Sequence, residues 1–215
     1  MAAILATIYF YKYRHTPLKY LLYLLWYITF TEFLAWYSVK YEIKQLLFIN
    51  EQGVKYNWWM YNLLRFVTFN GLFLIYSNYL KNKKFKQLIK LFVASYTLVY
   101  ILNWTFIQNF IWDTSEIPRI VGSIFLIITI LCYFIELLRS DLIVVFHKLL
   151  MFWISVGLLL FYTGTIPFFL KINQYAVMYP FTDRIHKLFL IIYILAITMY
   201  LTFSFGFIWS KKEKA

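Results

Sequence analysis

The sequence predicts an all-α protein, a bundle of seven transmembrane helices of which the first is short. Three observations carry this. Of the 215 residues, 63% are hydrophobic and only 14% charged, whereas about half of a soluble domain is apolar and about a quarter charged. The apolar residues gather in continuous runs, several of them long enough for the roughly 20 residues that one bilayer crossing takes. Those runs do not alternate apolar with polar, as the strands of a membrane barrel must. Connections are short, Gly and Pro are scarce, and no stretch reads as a soluble domain. We therefore expect one transmembrane domain over 1–215.

The first apolar stretch, "MAAILATIYFY", is half a span, about 16 Å as a helix. No basic region precedes it, so it is not a secretory signal. Either this helix is short and tilted or capped by its neighbours, or the native chain begins upstream of Met1. Six full spans follow, over 20–39, 57–80, 91–112, 119–138, 149–170 and 188–209. Basic residues set the orientation, because cytoplasmic connections are enriched in Lys and Arg. The first, third and fifth connections plus the C-terminal tail hold 13 of the 21 Lys and Arg, the other side holds seven, and Arg65 is the remaining one. The "KNKKFKQLIK" connection is thus expected in the cytoplasm, with the N-terminus outside and the C-terminus inside. Trp36, Trp58, Trp59 and Trp112 fall at the expected outer edge, where interfacial aromatics belong.

Two outer connections exceed a tight turn. "KYEIKQLLFINEQGVKY" offers Leu46, Leu47, Phe48 and Ile49 as a short amphipathic piece for the membrane surface. "KINQYAVMYPFTDRIHK" is expected to fold back over the bundle. For both, an ordinary solvated loop is the alternative.

Charges inside the spans are the sharpest feature. Glu32 lies eight residues before the outer end of its span near Lys40, and Arg65 eight residues after the outer start of the next near Asn57. Both are therefore about 12 Å below the outer surface. Consecutive antiparallel helices are usually neighbours, and a lone charge at that depth costs several kcal/mol on most scales. An ion pair between Glu32 and Arg65 is the expectation. Asn62 precedes Arg65 by one helical turn, and Asn103 and Tyr162 reach a similar depth. Thr163, Gly164 and Thr165 follow. Pro167 has no N–H for the Thr163 carbonyl, which predicts a kink with a free acceptor. Glu32, Asn62, Arg65, Asn103, Tyr162 and Thr163 make one polar layer, read as lining a ligand pocket. The competing reading is a satisfied interhelical pair that binds nothing.

Near the expected inner surface lie Glu136, Arg139, Asp141, His147 and Lys148. Glu136 and Arg139 have the spacing of a pair on one helix face, and the cluster reads as snorkelling anchors rather than a proton path. Gly157 and Gly164, seven apart, predict close approach of a neighbouring helix.

Several chemistries drop out. The chain has no HExxH zinc motif, GxSxG elbow, P-loop or glycine-rich nucleotide fingerprint. His15, His147 and His186 fall far apart and on different sides, so no three-histidine metal site is expected. The single cysteine, Cys132, allows neither a disulfide framework nor a cysteine metal site. The net charge of +12 sits between apolar runs, which reflects topology rather than nucleic-acid binding. The last span has no lysine for a retinal Schiff base, and no internal repeat suggests a two-repeat transporter.

From residue 20 to 212 the outline, with "MFWISVGLLLFYTGTIPFFL" in the sixth span and "FGFIWSKK" at the end, resembles small bacterial seven-helix membrane proteins. These are similar in plan to the membrane sensor halves of histidine kinases. The resemblance implies a bacterial cytoplasmic (inner) membrane and transfers no site residue. The expected function is a receptor- or sensor-like module, without enzymatic activity, metal or cofactor, that binds a small or lipidic ligand in the outer-half pocket and signals to a membrane or cytoplasmic partner. The alternatives are a small transporter or proton-coupled channel subunit, in which Glu32 and Glu136 or His147 relay protons, and a structural subunit of a membrane complex.

Overall fold

Leu21, Leu24, Leu25, Thr31, Ala35 and Ser38 are buried along α2 (Lys19–Lys40) at three- and four-residue steps. Tyr23, Phe30, Phe33 and Tyr37 point outward. That division is how a helix spends one face on its neighbours and the other on its surroundings. The structure, a computed structural model, describes residues 1–49, 55–178 and 183–212. Among these it is all-helical apart from one small ladder. The other helices are α1 (Ala2–Ile8), α3 (Trp58–Tyr79), α4 (Lys83–Leu102), α5 (Glu116–Leu138), α6 (Leu150–Met178) and α7 (Asp183–Trp209). Four stretches are long and apolar enough to cross a membrane: Lys83–Ile107, Glu116–Leu138, Leu150–Leu170 and Phe189–Trp209. With the aromatic-rich surface, this is the make-up of an integral membrane protein. Helices α2 and α3 are equally long, 22 residues each, but their Tyr, Trp, Thr and Asn side chains and their charged residues lower their mean hydropathy.

Each helix packs on the next in sequence, and α1 closes the ring by packing on both α2 and α7. Ala2, Ala3 and Ala6 supply its buried face, small enough for close approach. At its far end Lys12 Nζ donates to the carbonyls of Phe207, Ile208 and Ser210 at 2.8–2.9 Å. One ammonium thus satisfies three acceptors that the C-terminus of α7 leaves open, and opposes its negative dipole end.

Helix α3 is the hub, touching α2, α4 and α5. Phe69, Phe73 and Tyr76 of α3 and Tyr96 and Tyr100 of α4 are fully buried. Their rings meet edge-on, Phe69–Tyr96 at 5.3 Å and Tyr96–Tyr100 at 5.4 Å, the geometry that ring quadrupoles favour. Gly122 of α5 admits these rings, because a Cβ there would stand 2.8 Å from Tyr96 and 2.9 Å from Phe69. On the other side, α6 and α7 lie against each other through Gly157 and Gly164, where a Cβ would meet Phe203 at 2.8 Å and Leu195 at 2.7 Å. The expected glycine face is therefore present.

Some boundaries differ from expectation. Helix α4 begins at Lys83, not 91, because Asn82 caps it by accepting from Lys84 N at 2.9 Å and Lys, Gln and Leu favour helix. It ends in a π-turn over Asn103–Ile107, closed by Gln108 N donating to the Asn103 carbonyl at 2.8 Å. Helix α6 runs on through Pro167 to Met178, and α7 starts at Asp183. The stretch expected to fold back is thus largely helix, and its centre, 179–182, lies outside the described residues. Within the stretch expected as a short amphipathic piece, Phe48–Ile49 forms a strand, β1, paired antiparallel with β2 (Lys55–Tyr56). Trp112 packs on Phe48 and Tyr56, and residues 50–54 between the strands lie outside the described residues. Glu136 does not pair with Arg139. Its carboxylate accepts from the backbone N–H groups of Lys81 at 2.7 Å and Asn82 at 3.0 Å, where it supports the start of α4.

Candidate functional site

The polar residues of α3 are sorted by which way each faces around the helix axis. Asn62 is fully buried toward α4 and α5. Its Nδ2 donates to the carbonyls of Phe110 at 2.8 Å and Asp113 at 2.9 Å. Its Oδ1 accepts from Ser115 N and from Arg65, both at 3.2 Å. The Tyr100 hydroxyl donates to its backbone carbonyl at 2.7 Å. Asn62 is therefore a clasp for the 108–115 connection, with no capacity left for a ligand. Asn103 is likewise buried, donating to Gln108 Oε1 at 3.1 Å. Thr163 is exposed on α6 and returns its hydroxyl to the Leu159 carbonyl at 2.6 Å. These three residues of the expected layer do not line the pocket described next.

The others do. Glu32 of α2, Arg65 of α3 and Tyr162 of α6 line a cavity of about 360 Å³, joined by Tyr61 of α3, Arg119 of α5 and Tyr200 of α7. Five helices thus contribute to one space, within the size range of small-molecule sites. The expected ion pair is absent: among the described residues the ion-paired guanidinium is that of Arg119, on Glu116 Oε1 at 3.2 Å. Glu32 acts on Arg65 only through space. Both side chains line the cavity, Glu32 from α2 and Arg65 from α3, without forming an ion pair. Arg65 has Asn62 as its hydrogen-bond partner and, among the described residues, no anion in contact.

Arg119 belongs to the same space. Its guanidinium lies 4.2 Å from the Phe169 ring centroid, a cation–π distance. Its Nε is buried without a partner. Glu116 holds one end of it and also accepts from Thr114 Oγ1 at 2.6 Å. The charges of Arg65 and Arg119 act on each other and on Tyr162. Below the charged groups the wall is apolar, formed by Leu24, Leu25 and Ile28 of α2, Leu158 of α6 and Met199 and Phe203 of α7. Glu32 stands at the opening. It is exposed, and with Tyr200 it also lines a second groove of about 410 Å³ between α1, α2 and α7.

By sequence, Arg119 sits at the expected start of the fifth span, 119–138, where a basic residue reads as a connection charge. Ser115, Glu116 and Pro118 form a helix-start signal. Starting the helix at Glu116 puts Arg119 one turn inside it. Tyr61 and Tyr200 carried no distinguishing signal in a chain with 20 tyrosines.

A larger space of about 670 Å³ lies at the Lys81 end, lined by His15, Lys81, Glu136 and Arg139 among others. Its carboxylate is spent on the Lys81 and Asn82 amides. His147 lies in the following 3₁₀ segment, Asp141–Lys148, and its carbonyl accepts from Trp153 Nε1 at 3.0 Å. Lys148 stacks on Trp209 at 3.7 Å, as an anchoring side chain does. Comparison with protein-family models, curated proteins and solved structures finds no match.

Proposed function

We propose that the chain is a non-enzymatic, receptor- or sensor-like module of a bacterial cytoplasmic membrane. In this reading all seven helices cross the bilayer, with the N-terminus and the Trp112 end outside and the Lys81 end in the cytoplasm. A small or lipidic ligand occupies the cavity in the outer half, and its presence is passed to a partner at the basic cytoplasmic face. The observation that carries the reading is that Glu32, Arg65 and Arg119 converge on one cavity while Glu32 and Arg65 leave each other unneutralised. A purely structural bundle gains nothing from an uncancelled charge at that depth, since polar groups in membrane helices are costly unless used. The route for a signal is α3, which carries Arg65 in the cavity and leads directly to the Lys81–Asn82 turn held by Glu136.

Native mass spectrometry of the protein purified in mild detergent tests this. A bound molecule is expected, and Ala196→Phe, which fills the cavity lined by Ala196, lowers its occupancy while Ile194→Phe on the outer face does not. An unmodified protein that carries nothing, or equal occupancy in both variants, refutes the ligand reading.

A further inference from the structure

We propose that the ligand is an anionic amphiphile, a single-chain acid whose head group sits between Arg65 and Arg119 and whose tail follows the apolar wall toward Leu21. This rests on the ligand-binding reading above and names the ligand's chemistry. A guanidinium offers five N–H donors in a planar fork. Arg65 uses a single neutral acceptor, Asn62 Oδ1, and touches no carboxylate among the described residues. Arg119 has Glu116 on one nitrogen and a buried, unpartnered Nε. Two guanidiniums thus face one largely apolar space with donor capacity unspent. An unpaired charge and an unmet buried donor are each costly in such surroundings. A carboxylate or phosphate in the cavity answers the unpaired charge of Arg65 and adds a partner for the cavity-facing end of Arg119, because its paired oxygens match the fork.

The two cations are also held in place. Asn62 is fixed by the 108–115 connection on one side and holds Arg65 on the other. The Phe169 ring packs against the Arg119 guanidinium. The head-group site is therefore set before a ligand arrives, which limits the ordering cost of binding.

The remainder of the space specifies the body. From the level of Glu32 the α2 wall descends through Ile28, Leu25 and Leu24 to Leu21, eleven residues or about 16 Å along the helix. A volume of about 360 Å³ over that length suits one acyl chain rather than two. The opening at Glu32 and Tyr200 toward the groove beside α1 gives such a molecule a way in from the side of the bundle.

The test uses the full chain in mild detergent and a dodecanoate bearing a diazirine in its tail. Photolysis is expected to label peptides within 158–169 and 192–203, and unlabelled dodecanoate is expected to compete. Dodecanoate methyl ester, equal in shape but uncharged, is expected to compete about tenfold less well, the loss of one charge-assisted contact. In Arg65→Gln/Arg119→Gln, acid and ester should compete equally. Dodecyl phosphate competing as well as or better than dodecanoate supports the anionic head and names it phosphoryl; weaker competition names it carboxylate. Equal competition by acid and ester on the unmodified protein overturns the anionic head while leaving a labelled cavity. Absence of labelling in 158–169 and 192–203 overturns the ligand site itself. Since the acid–ester comparison needs no variant, a double variant that fails to fold does not blunt the test.

Discussion

Replacing Asn62 by Leu should release the 108–115 connection without unfolding the bundle. The Asn62 side chain makes four hydrogen bonds, three of them to the backbone of Phe110, Asp113 and Ser115 and one from Arg65. Leucine has similar bulk but strands all three backbone groups in a partly or fully buried setting. Leaving a buried polar group unsatisfied costs about 1–3 kcal/mol. Taking the low end for each, since a released connection regains water, gives about 3 kcal/mol. At 1.4 kcal/mol per tenfold, that is roughly a hundredfold more opening. Hydrogen exchange read by mass spectrometry in detergent is the assay. Amides of 109–116 should exchange roughly a hundredfold faster, with the buried parts of α6 and α7 little changed. Asn70→Leu is the control on the same helix, because Asn70 merely returns a bond to the Phe66 carbonyl. The connection also has bonds of its own, Asn109 N to Asp113 Oδ2 and Ile111 N to Asn109 Oδ1, both at 2.9 Å. If exchange over 109–116 stays within about threefold of the unmodified protein, those internal bonds suffice and the clasp argument is wrong.

Three further outcomes follow from the packing. In a double-mutant cycle, Glu32→Gln and Arg65→Gln should be additive to within about 0.5 kcal/mol, as for residues that do not touch; a coupling well above that in detergent unfolding would restore the ion pair. Lys12→Met removes three bonds to the end of α7 and should cost about 2 kcal/mol, seen as faster exchange or proteolysis over 205–212; an unchanged C-terminal end would count against the ammonium anchor. Gly157→Leu drives a side chain into Phe203 and the Met199 carbonyl and should cost about 1–3 kcal/mol or more. An unchanged melting temperature would mean that α6 and α7 do not approach as closely as described.

That Glu32 and Arg65 belong to one space was legible in the sequence, and the rotation of each helix about its axis was not. Counting from Lys40 and Asn57 gave Glu32 and Arg65 a common level, and both do line one cavity. Whether two side chains at one level touch depends on how each helix is rotated about its axis. An aromatic-rich helix with large side chains on every face carries little signal of that rotation. The same gap explains Asn62 and Thr163, which share the level of the layer but face the 108–115 connection and the outside of α6. The ends of α2 and α3 fell within a residue or two of the composition change. The start of α4 did not, because the charge of Lys83, Lys84 and Lys86 has the look of a connection although these residues are good helix formers behind an Asn cap. Arg119 was lost for the converse reason, a span boundary drawn at the charge rather than at Ser115.

The bond network of Lys12 has a consequence for biogenesis. Its three acceptors lie some 195 residues downstream, at the end of α7. During translation α1 therefore lacks one of its two flanks, and the circle of helices stays broken until α7 has been delivered to the bilayer. Contacts of such long sequence separation form late, so truncations that remove α7 should leave the N-terminal segment unanchored and open to quality-control proteases.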